Sequence, residues 1–290
     1  MTRSFMMVTV LQMLLGGTGV VTAQKVERRL AIDPHASIRI FNLTGATRVT
    51  GWDRDSIVVT GTIPAGAGRF YIGGAGTGAK LGVESDSLNA PGAVLDVFVP
   101  RRATVWIKSS TADVTLSGID GDVDISTVSG RIRAEGAPRR LSAEAMDGSI
   151  ELATRAAITR AKTASGTITL QGGGGDVTAS SVSGAIRYTG AHKVLTGRLE
   201  TVTGPVTFEG TVIRGGTLNI ETHDGLVDLT VPRDQLADFD LTTFGGSVTN
   251  ALSGAGPLVP KGKPVRFSSG TGGASVTVRT FKGNVRVSGG

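Results

Sequence analysis

A glycine recurs along this chain at a nearly constant spacing, and this repeat restricts the possible folds more than any other feature. It usually follows Ser, Thr or Asp, and its positions are Gly130, Gly148, Gly166, Gly184, Gly204, Gly225, Gly246 and Gly283. The successive spacings are 18, 18, 18, 20, 21, 21 and 37 residues, the last being about two periods with an insertion. A repeat of this length is typical of stacked architectures, in which each unit buries its apolar face only against its neighbours.

The residues around each glycine alternate between apolar and polar side chains. Two positions after the glycine stand Ile132, Ile150, Ile168, Ile186, Val206, Val227, Val248 and Val285. The following position is polar in every repeat, and five positions before the glycine stand Ile125, Ala143, Ala161, Ala179, Leu199, Ile220, Leu241 and Val278. Alternation with a period of two indicates strands with one buried face. Each repeat therefore predicts two strands joined at a glycine corner.

The predicted fold class is all-β, a parallel β-helix or β-solenoid with coils of 18 to 21 residues. Stacking turns each apolar position into a continuous inward stripe, with about 4.8 Å between neighbouring coils. We attribute the glycine to a positive φ at the corner. Aromatic residues make up only 4% of the chain, so small and β-branched side chains must form the core. We expect one solenoid domain over residues 24–290, with excursions near 64–91 and 250–274.

The first 23 residues have the pattern of a secretory signal peptide. Arg3 gives a positive start, residues 5–15 are mostly apolar, and Val21, Thr22 and Ala23 offer small residues at a cleavage site. An uncleaved membrane anchor is the alternative, but Gly16 and Gly17 interrupt the apolar run before it reaches the roughly 20 residues that span a bilayer. We expect cleavage after Ala23 and a mature chain without a transmembrane segment, outside the cytoplasm.

Charge and composition exclude several classes of partner and cofactor. The chain has 30 Lys and Arg against 24 Asp and Glu, and the basic residues are scattered rather than interleaved with stacking aromatics, which disfavours nucleic acid. Three His without any Cys predict no zinc site. The glycine-rich segment 73–80 lacks the Gly-Lys-Ser/Thr ending of a phosphate loop. We therefore predict no metal and no cofactor.

An acidic pair is the strongest candidate for chemistry. Glu200 and Glu221 stand four positions before successive corner glycines, so stacking would place them side by side on the outward face. Such a pair could bind a cation or act as acid and nucleophile, and His223 follows two positions later. The structural alternative is that Arg198 neutralises Glu200 and that His223 only satisfies a corner backbone group.

Trp106 is the second candidate, because it stands in an outward position otherwise held by polar or small residues. The corresponding residues are Asp124, Ser142, Arg160, Thr178, Arg198, Asn219 and Asp240. An exposed indole would suit stacking on a sugar ring, and the alternative is that the excursion before Pro91 covers it.

Several segments resemble a known bacterial family. These are Ile38 to Gly45 with Gly51 to Asp55, the repeated Thr-x-Ser-Gly-x-Ile corners, and the closing segment from Val276 to Val285. They resemble the putative-adhesin family of β-strand-repeat proteins, the DUF4097 type. The resemblance implies an exported bacterial envelope protein with a right-handed β-helix, and it carries over no catalytic residue.

Two classes of function follow from these observations. The first is a non-catalytic exported solenoid, adhesin-like or a scaffold, that binds a cell-envelope protein, a polysaccharide or a surface from the periplasm or the cell exterior. The second is a β-helix polysaccharide lyase or glycosidase that uses Glu200 and Glu221. We favour the first, because no further cluster of acids or aromatics surrounds the acidic pair.

Overall fold

The computed structural model describes residues 23–85, 87, 89–190, 193–252 and 262–290. The predicted signal peptide therefore lies outside the described residues except for Ala23. Regular structure within the described ranges consists entirely of strands.

Twenty-six strands follow one another in these ranges. The first thirteen are β1 (Gln24–Ala31), β2 (Ser37–Asn42), β3 (Gly45–Trp52), β4 (Ser56–Ile63), β5 (Arg69–Ala75), β6 (Gly78–Glu84), β7 (Ala93–Pro100), β8 (Thr104–Ser109), β9 (Asp113–Ser117), β10 (Asp122–Thr127), β11 (Ile132–Gly136), β12 (Arg140–Ala145) and β13 (Ile150–Thr154). The others are β14 (Ile158–Lys162), β15 (Ile168–Gly172), β16 (Gly175–Ser181), β17 (Ile186–Thr189), β18 (Val194–Thr201), β19 (Val206–Glu209), β20 (Val212–Thr222), β21 (Val227–Val231), β22 (Ala237–Thr243), β23 (Val248–Asn250), β24 (Val265–Ser269), β25 (Ala274–Thr280) and β26 (Val285–Gly289).

The strands form two long, mostly parallel sheets, and the chain alternates between them. Each coil contributes one strand to each sheet, for example β10 to one and β11 to the other. Parallel pairing places Ile132 beside Ile150, Ile150 beside Ile168, and Ile168 beside Ile186, and all four side chains are fully buried. The predicted all-β class and the stacking of two-strand coils are confirmed, and the sheets do not close into a barrel.

The spatial order of the coils departs from the chain order at both ends. At the C-terminal end, β25 and β26 lie between the coil of β20 and β21 and the coil of β22 and β23. At the N-terminal end, β6 and β7 pair with the outer side of β2 and β3, while β8 and β9 pair with the inner side. Part of the segment 64–91 is thus a strand of a coil.

Antiparallel strands lie at the ends of the stack. Strand β4 pairs with β7 and with β1, β5 pairs with β6, and β24 pairs with β22. An exposed edge of a parallel stack would be a template for pairing with another chain. The added strands cover these edges at the N-terminal end of both sheets and at the C-terminal end of one.

The corner glycines do not have the backbone conformation that we expected. None of the eight repeated glycines has a positive φ. A Cβ at any of them would instead lie far inside 3.0 Å of the corner carbonyl oxygen in the neighbouring coil, which is Ala112 O for Gly130 and a glycine oxygen for the others. Glycine is required here because two backbones pass too close to admit a side chain.

A hydroxyl column holds each corner in place. Seven of the eight corner amides donate to the side-chain oxygen three residues earlier, at 2.8 to 3.1 Å, and the acceptors are Thr127, Thr163, Ser181, Thr201, Thr222, Thr243 and Thr280. Several of the same hydroxyls donate to a carbonyl of the adjoining coil, as Thr127 does to Ser110 O at 3.0 Å. Ala145 stands in this column without a hydroxyl. The bonds tie each corner both to its own strand and to the next coil.

Replacing a corner glycine tests the close approach directly. We expect Gly184→Ala to lower the free energy of unfolding by about 2 kcal/mol or more, because the obstacle is backbone and cannot rotate away. Gly78→Ala is the matched control, since no heavy atom lies within 4 Å of its Cβ position. Its effect should stay within about 1 kcal/mol. Chemical denaturation of both variants measures the difference, and equal destabilisation would contradict the explanation.

Candidate functional site

The structure brings three of the four predicted site residues together. Glu200 on β18 and Glu221 on β20 are register partners in neighbouring parallel strands, and Arg279 on β25 is the next partner in the same row. Together with His223 they line an open depression of about 570 Å³ that also includes Phe281. The predicted adjacency of the two acids is therefore confirmed.

The acidic pair is embedded in balancing positive charge. Arg198 forms a hydrogen-bonded ion pair with Glu200. The pKa of Arg198 is raised above its ordinary value, mainly by its hydrogen bond and charge interaction with Glu200 and to a smaller extent by the charge of Glu221. Arg279 stands beside Glu221 on the other side. One carboxylate of the pair is thus held by an arginine, and a second arginine is the register partner of the other.

The ring of His223 belongs to an aromatic stack. Its ring lies parallel to that of Phe281, with centroids 4.9 Å apart, and Phe281 stacks on Phe244 at 5.1 Å. Its backbone N–H donates to Val202 O at 3.0 Å, and its carbonyl accepts from the amides of Phe281 and Lys282. The corresponding residues of the other coils make the same backbone bonds, and these bonds do not involve the imidazole.

An exposed apolar row runs along the corners of eight coils, and we call it the corner ridge. It consists of Val128, Met146, Ala164, Val182, Val202, His223, Phe281 and Phe244. From Met146 to Phe281, each backbone N–H donates to the carbonyl of the preceding ridge residue at 2.8 to 3.2 Å. Six of the side chains are between 43% and 68% exposed. The ridge is a continuous apolar surface on a hydrogen-bonded backbone.

Sequence reasoning did not identify the corner ridge as a surface. The signal was present, because these residues stand two positions before the corner glycines, one position beyond the buried hydroxyl column. Alternation places such a position outside, where a polar residue is expected. Apolar side chains repeated at an outward position are what distinguish a binding surface from a solvated one.

Trp106 lies at a separate place, on β8, five coils from Glu200. About 46% of its side chain is exposed. Of the two alternatives for this residue, exposed or covered by the segment before Pro91, the exposed indole describes the structure, and the strand of that segment next to β2 is β6, on the side away from β8. The other tryptophan, Trp52, is half-buried and donates to Ser56 O at 2.8 Å.

The described residues contain neither a cluster of metal ligands nor a membrane-spanning helix. Among the residues that the structure describes, no three His, Asp or Glu side chains come together in a group that could hold a metal ion. The same residues contain no helix long and apolar enough to cross a bilayer.

Comparisons with known proteins give no family assignment. No family model and no curated protein matches the chain. Among solved structures, a putative cell adhesion protein from Clostridium sporogenes is 8% identical, with 92% of this chain and 100% of that one covered and a TM-score of 0.25. A putative adhesin from Parabacteroides merdae is 11% identical over 91% and 96% of the chains, with a TM-score of 0.34.

A third similar structure, a putative adhesin from Bacteroides fragilis, is 10% identical over 91% of this chain and 97% of that one, with a TM-score of 0.31.

Proposed function

We propose that this chain is a non-catalytic, exported binding module that holds a cell-envelope partner along the corner ridge. The observation that carries the proposal is a row over eight successive coils in which six apolar side chains are exposed. Seven coil spacings give it a length of about 34 Å. Exposed apolar residues scattered singly are ordinary, whereas a contiguous row of this length is typical of an interaction surface.

The construction of the ridge suits it to binding. Its backbone is hydrogen-bonded from coil to coil, so little conformational entropy is lost when a partner docks. The stacked rings of His223, Phe281 and Phe244 form its aromatic end, and aromatic side chains supply a large share of binding energy at protein interfaces. A line of apolar side chains favours an envelope protein over a polysaccharide, whose surface is mostly hydroxyl groups.

Two double variants test the ridge. Each replaces two exposed apolar side chains by serine, one pair on the ridge and one pair away from it. In Phe244→Ser with Phe281→Ser, we expect at least a tenfold loss of affinity for isolated envelope fragments, because two of the largest exposed anchors are removed. In Leu195→Ser with Leu236→Ser, two side chains that are each 45% exposed are removed away from the ridge. This control should keep wild-type retention in a sedimentation assay, and equal loss in both variants would refute the role of the ridge.

The proposal that the chain is not an enzyme rests on the surroundings of the acidic pair. Glu200 is already bound to Arg198, and the depression around the pair is open. A glycosidase needs two carboxyl groups that flank the scissile bond and are free to act on it. An open surface on which one of the two carboxylates is held by a guanidinium group does not supply such a pair.

A direct assay distinguishes this proposal from the polysaccharide-active alternative. We expect purified protein to release no sugar from a panel of envelope and plant polysaccharides. Replacing Glu200 and Glu221 together by Gln should also leave retention on envelope fragments intact and change the free energy of unfolding by less than about 1 kcal/mol. Reducing-sugar and unsaturated-product assays measure the release of sugar. Sedimentation and chemical denaturation measure the retention and the free energy of unfolding of the double variant. Cleavage that the double variant loses would establish the enzyme instead.

Export to the periplasm or the cell surface is the third part of the proposal. It is supported by the positive start, the apolar run and the small residues before Gln24 in the sequence. We expect mass spectrometry of the exported protein to find Gln24 as the first residue. An intact Met1 on membrane-bound protein would show that the segment is an anchor.

Right-handed winding and membership of the DUF4097-type family also belong to this proposal. Connections between parallel strands of one sheet are right-handed in nearly all known cases, and each coil makes such a connection through the opposite sheet. Membership of the family is supported by the repeated two-strand coils, because the sequence resemblance to that family implies a β-helix built of such coils.

A further inference from the structure

A second cleft lies beside Trp106, apart from both the acidic pair and the corner ridge. It has a volume of about 130 Å³ and is lined by Thr104, Trp106, Asp122, Val123, Asp124, Arg140, Ser142 and Arg160. Trp106, Asp124, Ser142 and Arg160 are successive register partners on β8, β10, β12 and β14. An indole, a carboxyl group, a hydroxyl and a guanidinium therefore stand in one row across four coils.

The charges in this cleft balance one another. Asp122 accepts two hydrogen bonds from Arg139, at 2.8 and 2.6 Å, and lies 3.7 Å from Arg140. Among the lining residues, two aspartates face two arginines. A ligand that carries a net charge would gain little from such a set. The cleft instead offers several hydrogen-bond donors and acceptors at fixed positions.

Asp124 is the acid of the row and is partly buried. Its pKa is raised above the ordinary value, first by partial burial and then by the charge of Glu144, and this rise outweighs the opposing effects of Arg140 and of a hydrogen bond with Ser142. A carboxyl group held in these surroundings gains from a partner that supplies hydroxyl groups, because they replace the water that burial removes.

We propose that this row binds a neutral oligosaccharide of pyranose sugars, with one ring stacked on the indole of Trp106. The apolar face of a pyranose ring matches an exposed indole, and its hydroxyls match the alternating acceptors and donors of Asp124, Ser142 and Arg160. The row spans three coil spacings, about 14 Å, and one pyranose unit is about as long as one coil is high. Successive sugars of an extended chain therefore lie opposite successive coils.

The site goes beyond the proposed function of the corner ridge and does not depend on it. Trp106 on β8 and Val128, the ridge residue that follows β10 in the neighbouring coil, lie on different rows of the surface, and no ridge residue lines the cleft. A polysaccharide can therefore bind at the Trp106 row while an envelope protein occupies the ridge.

Calorimetric titration of the full chain with cellotetraose, chitotetraose and maltotetraose tests the proposal, with tetragalacturonate as the charged comparison. We expect at least one neutral tetrasaccharide to bind with a Kd of about 1 mM or tighter. Trp106→Ala should weaken it at least tenfold, Trp106→Phe should retain part of the affinity, and Asp124→Ala should weaken it several-fold. Phe281→Ser, on the ridge, should bind the sugar as the wild type does.

Fluorescence locates the bound ring. Only Trp52 and Trp106 contribute indole emission, so a Trp52→Phe variant reports on Trp106 alone, and we expect its emission to shift when the sugar is added. Three outcomes would overturn the proposal. They are no binding of any neutral tetrasaccharide, unchanged affinity in Trp106→Ala, and tighter binding of tetragalacturonate than of every neutral probe.

Discussion

The close approach of successive corner glycines is the constraint on which the rest of the molecule depends. Each of these glycines leaves no space for a Cβ against the carbonyl oxygen of the neighbouring coil, so the corners stack at backbone contact. The hydroxyl column then fixes the turn by binding the corner amide. These contacts set the distance between neighbouring coils at the corners. The strands on both sides of the corner therefore pair in parallel register, and the inward residues of one coil lie beside those of the next.

Register has the same effect on the outside of the molecule as on the inside. Any chemistry repeated at one outward position becomes a line on the surface, because each coil places that position above the previous one. Polar positions produce rows of charged side chains such as Glu200, Glu221 and Arg279, and the position before the corner produces the ridge. Function in this architecture is therefore argued from rows of residues, since a single residue gains its neighbours from other coils.

Much of the fold could be predicted from the sequence, since the period of two and the glycine spacing together define which residues share a row. The register of Ile132, Ile150, Ile168 and Ile186 follows from that spacing alone. The reason for the glycine could not be read in the same way, because a positive φ and a close backbone approach both exclude a side chain. The spatial order of the end coils could not be predicted either. Strands β22 and β25 have the same alternation of apolar and polar residues, so the sequence pattern allows either of them to pair with β20.

The candidate site was predicted in part. The adjacency of Glu200 and Glu221 depends only on register, so the sequence contains it. Exposure depends on what lies over a residue, which is why the sequence left Trp106 open between an exposed and a covered side chain and did not reveal the ridge. The stacked rings of His223, Phe281 and Phe244 needed the swapped order of the last coils as well, because Phe281 follows Phe244 in the chain and precedes it in the stack.

The placement of the last coil affects how the molecule is completed during synthesis. Strands β22 and β23 emerge before β25 and β26, yet both of their parallel neighbours belong to that later segment. The parallel hydrogen bonds of β22 and β23 therefore cannot form before Ala274 to Gly289 have been synthesised.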